Sequence, residues 1–199
     1  MINGNNNTVE TEKRRVGTAD DVLSVLILED QIISRVAELA RLIEADYAAS
    51  ENKLVLLGIL KGSIVFMAEL MKHLRLPVEI DFMKVSSYGG GTETTGNVEI
   101  KLDIRRNDMQ NSDMLIVEDI IDSGRTLSYL AEYLKLKGAA SVKTVTLLDK
   151  PSRRQVDFEA DYKGFIVPDE FVVGYGLDFD EKYRALPFIG VLKPEMYQK

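Results

Sequence analysis

The sequence predicts an α/β fold, an open and mostly parallel sheet flanked by helices, with a small C-terminal hood. Three observations lead there. Met114 to Val117 is a continuous apolar run without polar alternation, as a parallel strand covered on both faces requires, and Lys53 to Leu60 and Ser141 to Leu148 read as further apolar strands. Segments of helical periodicity follow the first two. The order βαβ, ββ, βαβ is that of an open sheet with helices on both faces.

Taken in order, residues 1 to 20 are polar, Asn-rich and without periodicity, which predicts a mobile tail. Val22 to Leu28 suits a strand, and Glu29 to Ile43 a helix with Ile32, Ile33, Val36, Leu39, Ala40 and Ile43 on one face. The strand Lys53 to Leu60 passes through Lys61-Gly62-Ser63 into a helix, Ser63 to Leu74, expected to turn Ile64, Met67, Ala68 and Met71 inward. His73, the only histidine, falls on its outer side and is expected to be exposed. Pro77 precedes a strand, Val78 to Ser86, and Asn97 to Leu102 resumes strand alternation. Between them, Ser87 to Gly96 has no apolar anchor and much Gly and Thr, so it predicts the loop of a long hairpin, either functional or simply an unselected tip.

After the strand at Met114 to Val117, Leu127, Leu130, Ala131 and Leu134 recur at helical spacing, with Lys135 and Lys137 in the last turn and Gly138 able to take the left-handed stop. Beyond Ser141 to Leu148 the chain carries short strands around Phe165 to Val167, Phe171 to Val173 and Phe188 to Val191. The expected division is a tail at 1–20, a core at 21–151 containing the flexible loop 87–96, and a hood at 152–199.

At 199 residues and 45% hydrophobic content the chain can bury one domain core. It has no Cys, which excludes disulfides and thiolate metal sites. No apolar run reaches membrane-spanning length and the start MINGNNNTVETEKRR lacks a signal peptide's apolar segment, so a cytoplasmic protein without a membrane partner is expected. A net charge of −7 argues against a nucleic-acid partner.

The chemistry is expected where strand becomes helix, from Glu118 to Thr126. Three carboxylates, Glu118, Asp119 and Asp122, are followed there by Ser123, Gly124, Arg125 and Thr126. Free N–H groups at a helix start, opened by Gly and flanked by two hydroxyls and a guanidinium, suit a phosphate dianion. Carboxylates repel phosphate unless something lies between. A sugar phosphate with its hydroxyls toward the acids and its phosphate on the helix start resolves the conflict, with Mg²⁺ neutralising the rest. Asp122 and Ser123 as mere helix caps would account for one acid, not three.

VEDIIDSGRTL resembles the phosphoribosyl-pyrophosphate motif of the phosphoribosyltransferases, and the chain from about residue 22 onward resembles the bacterial hypoxanthine-guanine members. The resemblance implies the phosphoribosyltransferase fold, and a homodimer or homotetramer using 5-phosphoribosyl 1-pyrophosphate, a 6-oxopurine base and Mg²⁺ in purine salvage. It implies that Glu118 and Asp119 hold the ribose hydroxyls and metal, that residues 123–126 anchor the 5′-phosphate, and that Asp122 accepts the N7 proton. Leu60, Lys61 and Gly62 match the family's pyrophosphate loop, whose Leu60–Lys61 peptide can be cis; Arg184 matches an arginine contacting pyrophosphate. Lys150 matches the lysine that donates to the purine 6-oxo group, Phe171 the ring that stacks on the base, and Val172 and Asp178 residues whose backbones meet its exocyclic edge. The Asp178 side chain would also bind a second Mg²⁺. Ser87 and Tyr88 match the start of the loop that closes over the reaction. Taken singly, Lys61, Lys150 and Phe171 also suit an exposed turn lysine, a surface lysine and a core aromatic; the joint spacing DKP…EFVVGYGLDFDEKYR favours the site. Two rivals are a regulator of the same fold with little catalysis, which needs a basic face, and a metal-dependent phosphotransfer enzyme using Asp119 and Asp122.

Overall fold

The computed structural model describes residues 17–87 and 98–198. Most of the expected tail, and the expected loop from Tyr88 onward, lie outside the described residues. The elements are β1 (Val22–Ile27), α1 (Glu29–Tyr47), β2 (Lys53–Ile59), α2 (Ser63–His73), β3 (Val78–Ser87), β4 (Val98–Leu102), β5 (Ser112–Ile121), α3 (Arg125–Leu136), β6 (Ser141–Asp149), β7 (Tyr162–Ile166), β8 (Val172–Val173) and β9 (Ile189–Leu192). Six strands form one sheet in the order β4-β3-β2-β5-β6-β7, parallel except for the edge strand β4. The α/β architecture is the one the apolar runs predict.

Successive side chains of a strand point to opposite faces, so the unbroken apolar runs fill two cores at once. Leu54, Leu56, Leu115 and Val117 pack in one core with Ile32, Val36, Leu39 and Ile43 of α1 and Phe66, Met67 and Leu70 of α2. Val55, Leu57, Met114 and Ile116 face the other way, against Leu127, Leu130, Ala131 and Leu134 of α3. Helix α1 starts where the Gln31 side chain accepts a 2.9 Å bond from the Leu28 N–H, and runs on to Tyr47, one turn past its expected end. Helix α3 stops as expected, with Gly138 at φ 89°.

Three expectations are corrected. Helix α2 presents Phe66, Met67 and Leu70 to the core and leaves Ile64 and Ala68 exposed and Met71 only partly buried. Its apolar residues surround most of the helix, so period alone did not fix the phase. His73 is half-buried and lies 3.0 Å from Glu69 one turn earlier. The division at residue 151 is crossed twice. A second sheet of order β1-β9-β8 draws β1 from the N-terminal side into the hood, and β7 joins the main sheet beside β6. Pairings so distant in sequence leave no local signal. Among the described residues no helix is long and apolar enough to cross a membrane.

Candidate active site

Strands β2, β5 and β6 are adjacent and parallel, so their C-terminal ends lie side by side. That edge is where open α/β sheets place ligands. Three connections therefore meet: Leu60 to Gly62 after β2, Asp122 to Gly124 after β5, and Lys150 after β6.

The middle connection opens helix α3 at Gly124, whose φ of 78° favours Gly. No side chain caps the helix, which leaves first-turn amides for a ligand, and only a 3.4 Å contact from the Arg125 N–H reaches Ser123 Oγ. A cavity of about 280 Å³ is lined here by Glu118, Ile120, Asp122, Ser123, Gly124 and Thr126. The turn is held from outside by Arg154, whose Nη1 donates 2.7 Å to the Asp122 carbonyl and whose Nη2 pairs with buried Asp149. The Gln155 N–H adds a 3.0 Å bond to the Ser123 carbonyl. A Cβ on Gly124 would lie 2.9 Å from Arg154 Cδ.

The acidic pair lies deeper. Glu118 Oε2 is buried without a hydrogen-bond partner. Burial, with the neighbouring Asp119 charge second, pushes the Glu118 carboxyl well above the usual range. Asp119 Oδ1 accepts from the Ile120 N–H at 2.9 Å, and burial pushes its carboxyl up to about 6. Two desolvated carboxylates with an orphaned oxygen are a donor set that a hard cation would satisfy. No three His, Cys, Asp or Glu side chains converge on one point among the described residues, so a divalent cation held by this pair would take its other ligands from substrate and water. Asp178 is engaged separately: Oδ1 meets Arg184 Nη2 at 2.9 Å and Oδ2 accepts from the Glu181 N–H at 2.9 Å.

The Leu60–Lys61 peptide is cis, as the resemblance implies. A Cβ on Gly62 would lie 1.6 Å from Asp119 Oδ2, and one on Gly176 would lie 2.1 Å from the Gly62 carbonyl oxygen. The loop after β2 is thus pressed between the acidic pair and the hood, and both contacts require Gly. Lys61 Nζ reaches over to both carboxylate oxygens of Glu181 at 2.9 Å. Arg184 donates 2.7 Å to the Gly176 carbonyl and contacts Glu181 at 3.3 Å. Tyr175, Asp180, Glu181 and Tyr183 all have positive φ, an unusual concentration for side-chain-bearing residues.

A second cavity, of about 340 Å³, is lined by Ile120, Asp122, Lys150, Phe171, Val172, Asp178 and others. Lys150 is 5% exposed, and its Nζ donates 2.8 Å to the Glu170 carbonyl and lies 3.8 Å from Asp122 Oδ1. Phe171 is half-exposed and stacks on Tyr197 at 4.8 Å between ring centroids. Three residues escaped the sequence reading: Ile120, which lines both cavities, Arg154, and Tyr197. Ile120 lies inside the motif and its place between the acids was the available signal; the other two carry none. Of the expected loop pair, Ser87 ends β3 at this same sheet edge and Tyr88 lies outside the described residues.

Residues 24–180 match the phosphoribosyl transferase domain. The chain is 53% identical over 180 residues to the bifunctional protein TilS/HprT of Listeria innocua, covering 90% of this chain but only 27% of that protein. It is 54% identical over 175 residues to the hypoxanthine-guanine phosphoribosyltransferase of Lactococcus lactis, covering 88% of this chain and 93% of that one. A solved hypoxanthine phosphoribosyltransferase from Staphylococcus aureus superposes with a TM-score of 0.85 at 47% identity, covering 97% of this chain and 99% of the other. The chain belongs to the phosphoribosyltransferase family, in the branch of the hypoxanthine-guanine enzymes.

Proposed function

We propose that the protein transfers 5-phosphoribose from 5-phosphoribosyl 1-pyrophosphate to N9 of hypoxanthine or guanine, giving IMP or GMP and pyrophosphate. The observation that carries this reading is the shared wall of two cavities. Ile120 and Asp122 line both the pocket at the start of α3 and the pocket that ends on Lys150 and Phe171. A sugar phosphate in the first and a planar base in the second would meet at Asp122.

In this reading Ser123, Gly124, Arg125 and Thr126 anchor the 5′-phosphate through backbone N–H groups and hydroxyls. Glu118 and Asp119 take the ribose hydroxyls and Mg²⁺, while Leu60, Lys61, Gly62 and Arg184 face the pyrophosphate. Asp178 would meet a second Mg²⁺ as well as the base. Bound Mg²⁺ supplies charge neutralisation at the departing pyrophosphate. The base lies against Phe171 with its 6-oxo group toward Lys150 Nζ and its exocyclic edge toward the Val172 and Asp178 backbones. As the C1′–O bond to pyrophosphate breaks and the C1′–N9 bond forms with inversion, Asp122 takes the proton from N7. A carboxylate is a weak base, so the transfer comes late, after bond formation at N9 has made N7 acidic. Ser87 and Tyr88 would begin a loop that excludes water from the oxocarbenium-like transition state.

The same reading takes the working form as a homodimer or homotetramer in the cytoplasm, which light scattering and fractionation test. The decisive assay is turnover of hypoxanthine, guanine, xanthine and adenine with the phosphoribosyl donor and Mg²⁺, read as pyrophosphate release. Turnover of the 6-oxopurines with adenine essentially inert is expected. Absence of pyrophosphate release with any base refutes the assignment.

A further inference from the structure

The Glu181 side chain has no part in the scheme above, yet it touches both cations assigned to pyrophosphate. Its two oxygens sit 2.9 Å from Lys61 Nζ, and Oε2 sits 3.3 Å from Arg184 Nη2. Lys61 comes from the loop after β2 and Arg184 from the hood, so this one carboxylate bridges the two parts of the site. Arg184 Nε is buried without a hydrogen-bond partner, while the other polar groups around the bridge are engaged. Arg184 Nη1 is committed to the Gly176 carbonyl, Nη2 is shared with Asp178, and Asp178 in turn accepts from the Glu181 N–H. Lys182 pairs with Asp180 and stays outside the bridge. Glu181 itself has a φ of 60°, a left-handed conformation uncommon for a residue that carries a side chain.

We propose that Glu181 is a built-in competitor for the pyrophosphate site, a carboxylate that occupies Lys61 and Arg184 in the free enzyme and must let go when pyrophosphate binds. The inference rests on the reading of Lys61 and Arg184 as pyrophosphate contacts. The chemistry is anion exchange: two carboxylate oxygens give up one ammonium and one guanidinium, and phosphate oxygens take them. The exchange is easy because the bridge is open to solvent, with the Lys61 and Glu181 side chains 51% and 63% exposed. Exposed pairs of this kind are worth little and are screened by salt, so Glu181 tunes affinity without closing the site. It also returns to the cations as product leaves, which shortens the residence of pyrophosphate.

The test is calorimetric titration of the full-length protein with inorganic pyrophosphate in MgCl₂, at low and at high salt. Glu181→Gln keeps the side-chain length and removes the competing charge. Glu132→Gln removes a comparably exposed carboxylate that pairs with Lys135 on α3, away from the bridge. Pyrophosphate should bind Glu181→Gln about 2- to 5-fold more tightly than wild type at low salt and with a smaller gain at high salt, while Glu132→Gln matches wild type. In turnover, Glu181→Gln should lower both KM for the phosphoribosyl donor and kcat, since slow product release lowers the two together. Lys61→Ala separates the possible failures. If Lys61→Ala weakens pyrophosphate binding and Glu181→Gln does not tighten it, the competitor role is overturned and the pyrophosphate assignment stands. If Lys61→Ala leaves pyrophosphate binding unchanged, the assignment itself is overturned, and the inference with it.

Discussion

Replacing Lys150 with Gln isolates the contact proposed to select the base. Lys150 is 5% exposed and lines the second cavity, with its Nζ donating 2.8 Å to the Glu170 carbonyl and Asp122 Oδ1 3.8 Å off. A Lys has donors only, so it rewards a 6-oxo group and leaves a 6-amino group unpaired. A hydrogen bond assisted by charge is worth about 1.5–3 kcal/mol, and Gln, shorter and neutral, forfeits most of that. The kcat/KM for hypoxanthine should therefore fall about 10- to 100-fold. Wild type should discriminate against adenine by roughly 10⁴, as sites built on polar recognition do. Gln can accept as well as donate, so the gap should narrow to roughly 10². Initial rates with hypoxanthine, guanine and adenine at saturating phosphoribosyl donor and Mg²⁺ measure both numbers, and a thermal melt checks that the variant folds. A wild type that uses adenine as well as hypoxanthine, or a variant with an unchanged ratio, would refute the role given to Lys150.

Other consequences follow from the same geometry. Asp122→Asn should lower kcat by about 10² or more with little change in KM for the sugar substrate, because the group is asked to act after binding; unchanged kcat removes it as the proton acceptor. Gly62→Ala would place a methyl 1.6 Å from Asp119 Oδ2, so the acidic pair or the loop must move. Overpacking of this kind costs about 1–3 kcal/mol, and donor binding measured by calorimetry should weaken at least 10-fold. Asp119 carries a pH signature. Its folded-state carboxyl is pushed up to about 6 from 3.8. The folded state therefore holds a proton the unfolded chain has lost between these values, and stability declines as pH rises through that window. Asp119→Asn, neutral throughout, should melt higher than wild type at pH 7.5 without Mg²⁺, with the difference shrinking as pH falls from 6 toward 3.8. A pH-independent difference would show that desolvation of Asp119 is not the cause.

The sequence disclosed those parts of the molecule that a few consecutive residues determine. The run Met114 to Val117 and the stripe Leu127, Leu130, Ala131, Leu134 are local patterns, and each packs as its period requires. The turn from Glu118 to Thr126 was legible as a strand-to-helix connection for the same reason, since its acids, hydroxyls and Gly fall within one stretch of chain, and it opens α3 beside a cavity. Long-range geometry was not legible. Nothing near Val22 to Ile27 marks it as the partner of Ile189 to Leu192, and nothing near Tyr162 places it beside β6. The cavity beside Lys150 shows the difference most sharply, because Ile120, Lys150, Phe171 and Tyr197 come from separate segments, and a lone Lys or aromatic in any of them also suits a surface or a core. Strand order turns these separate pieces into a site. With β2, β5 and β6 adjacent and parallel, three short connections reach one edge, and their closeness is tight enough that Gly62 cannot carry a Cβ against Asp119. A glycine read from sequence as part of an anion loop is therefore also a steric requirement of the neighbouring strand, and the two demands fall on the same residue because the sheet brings their sources together.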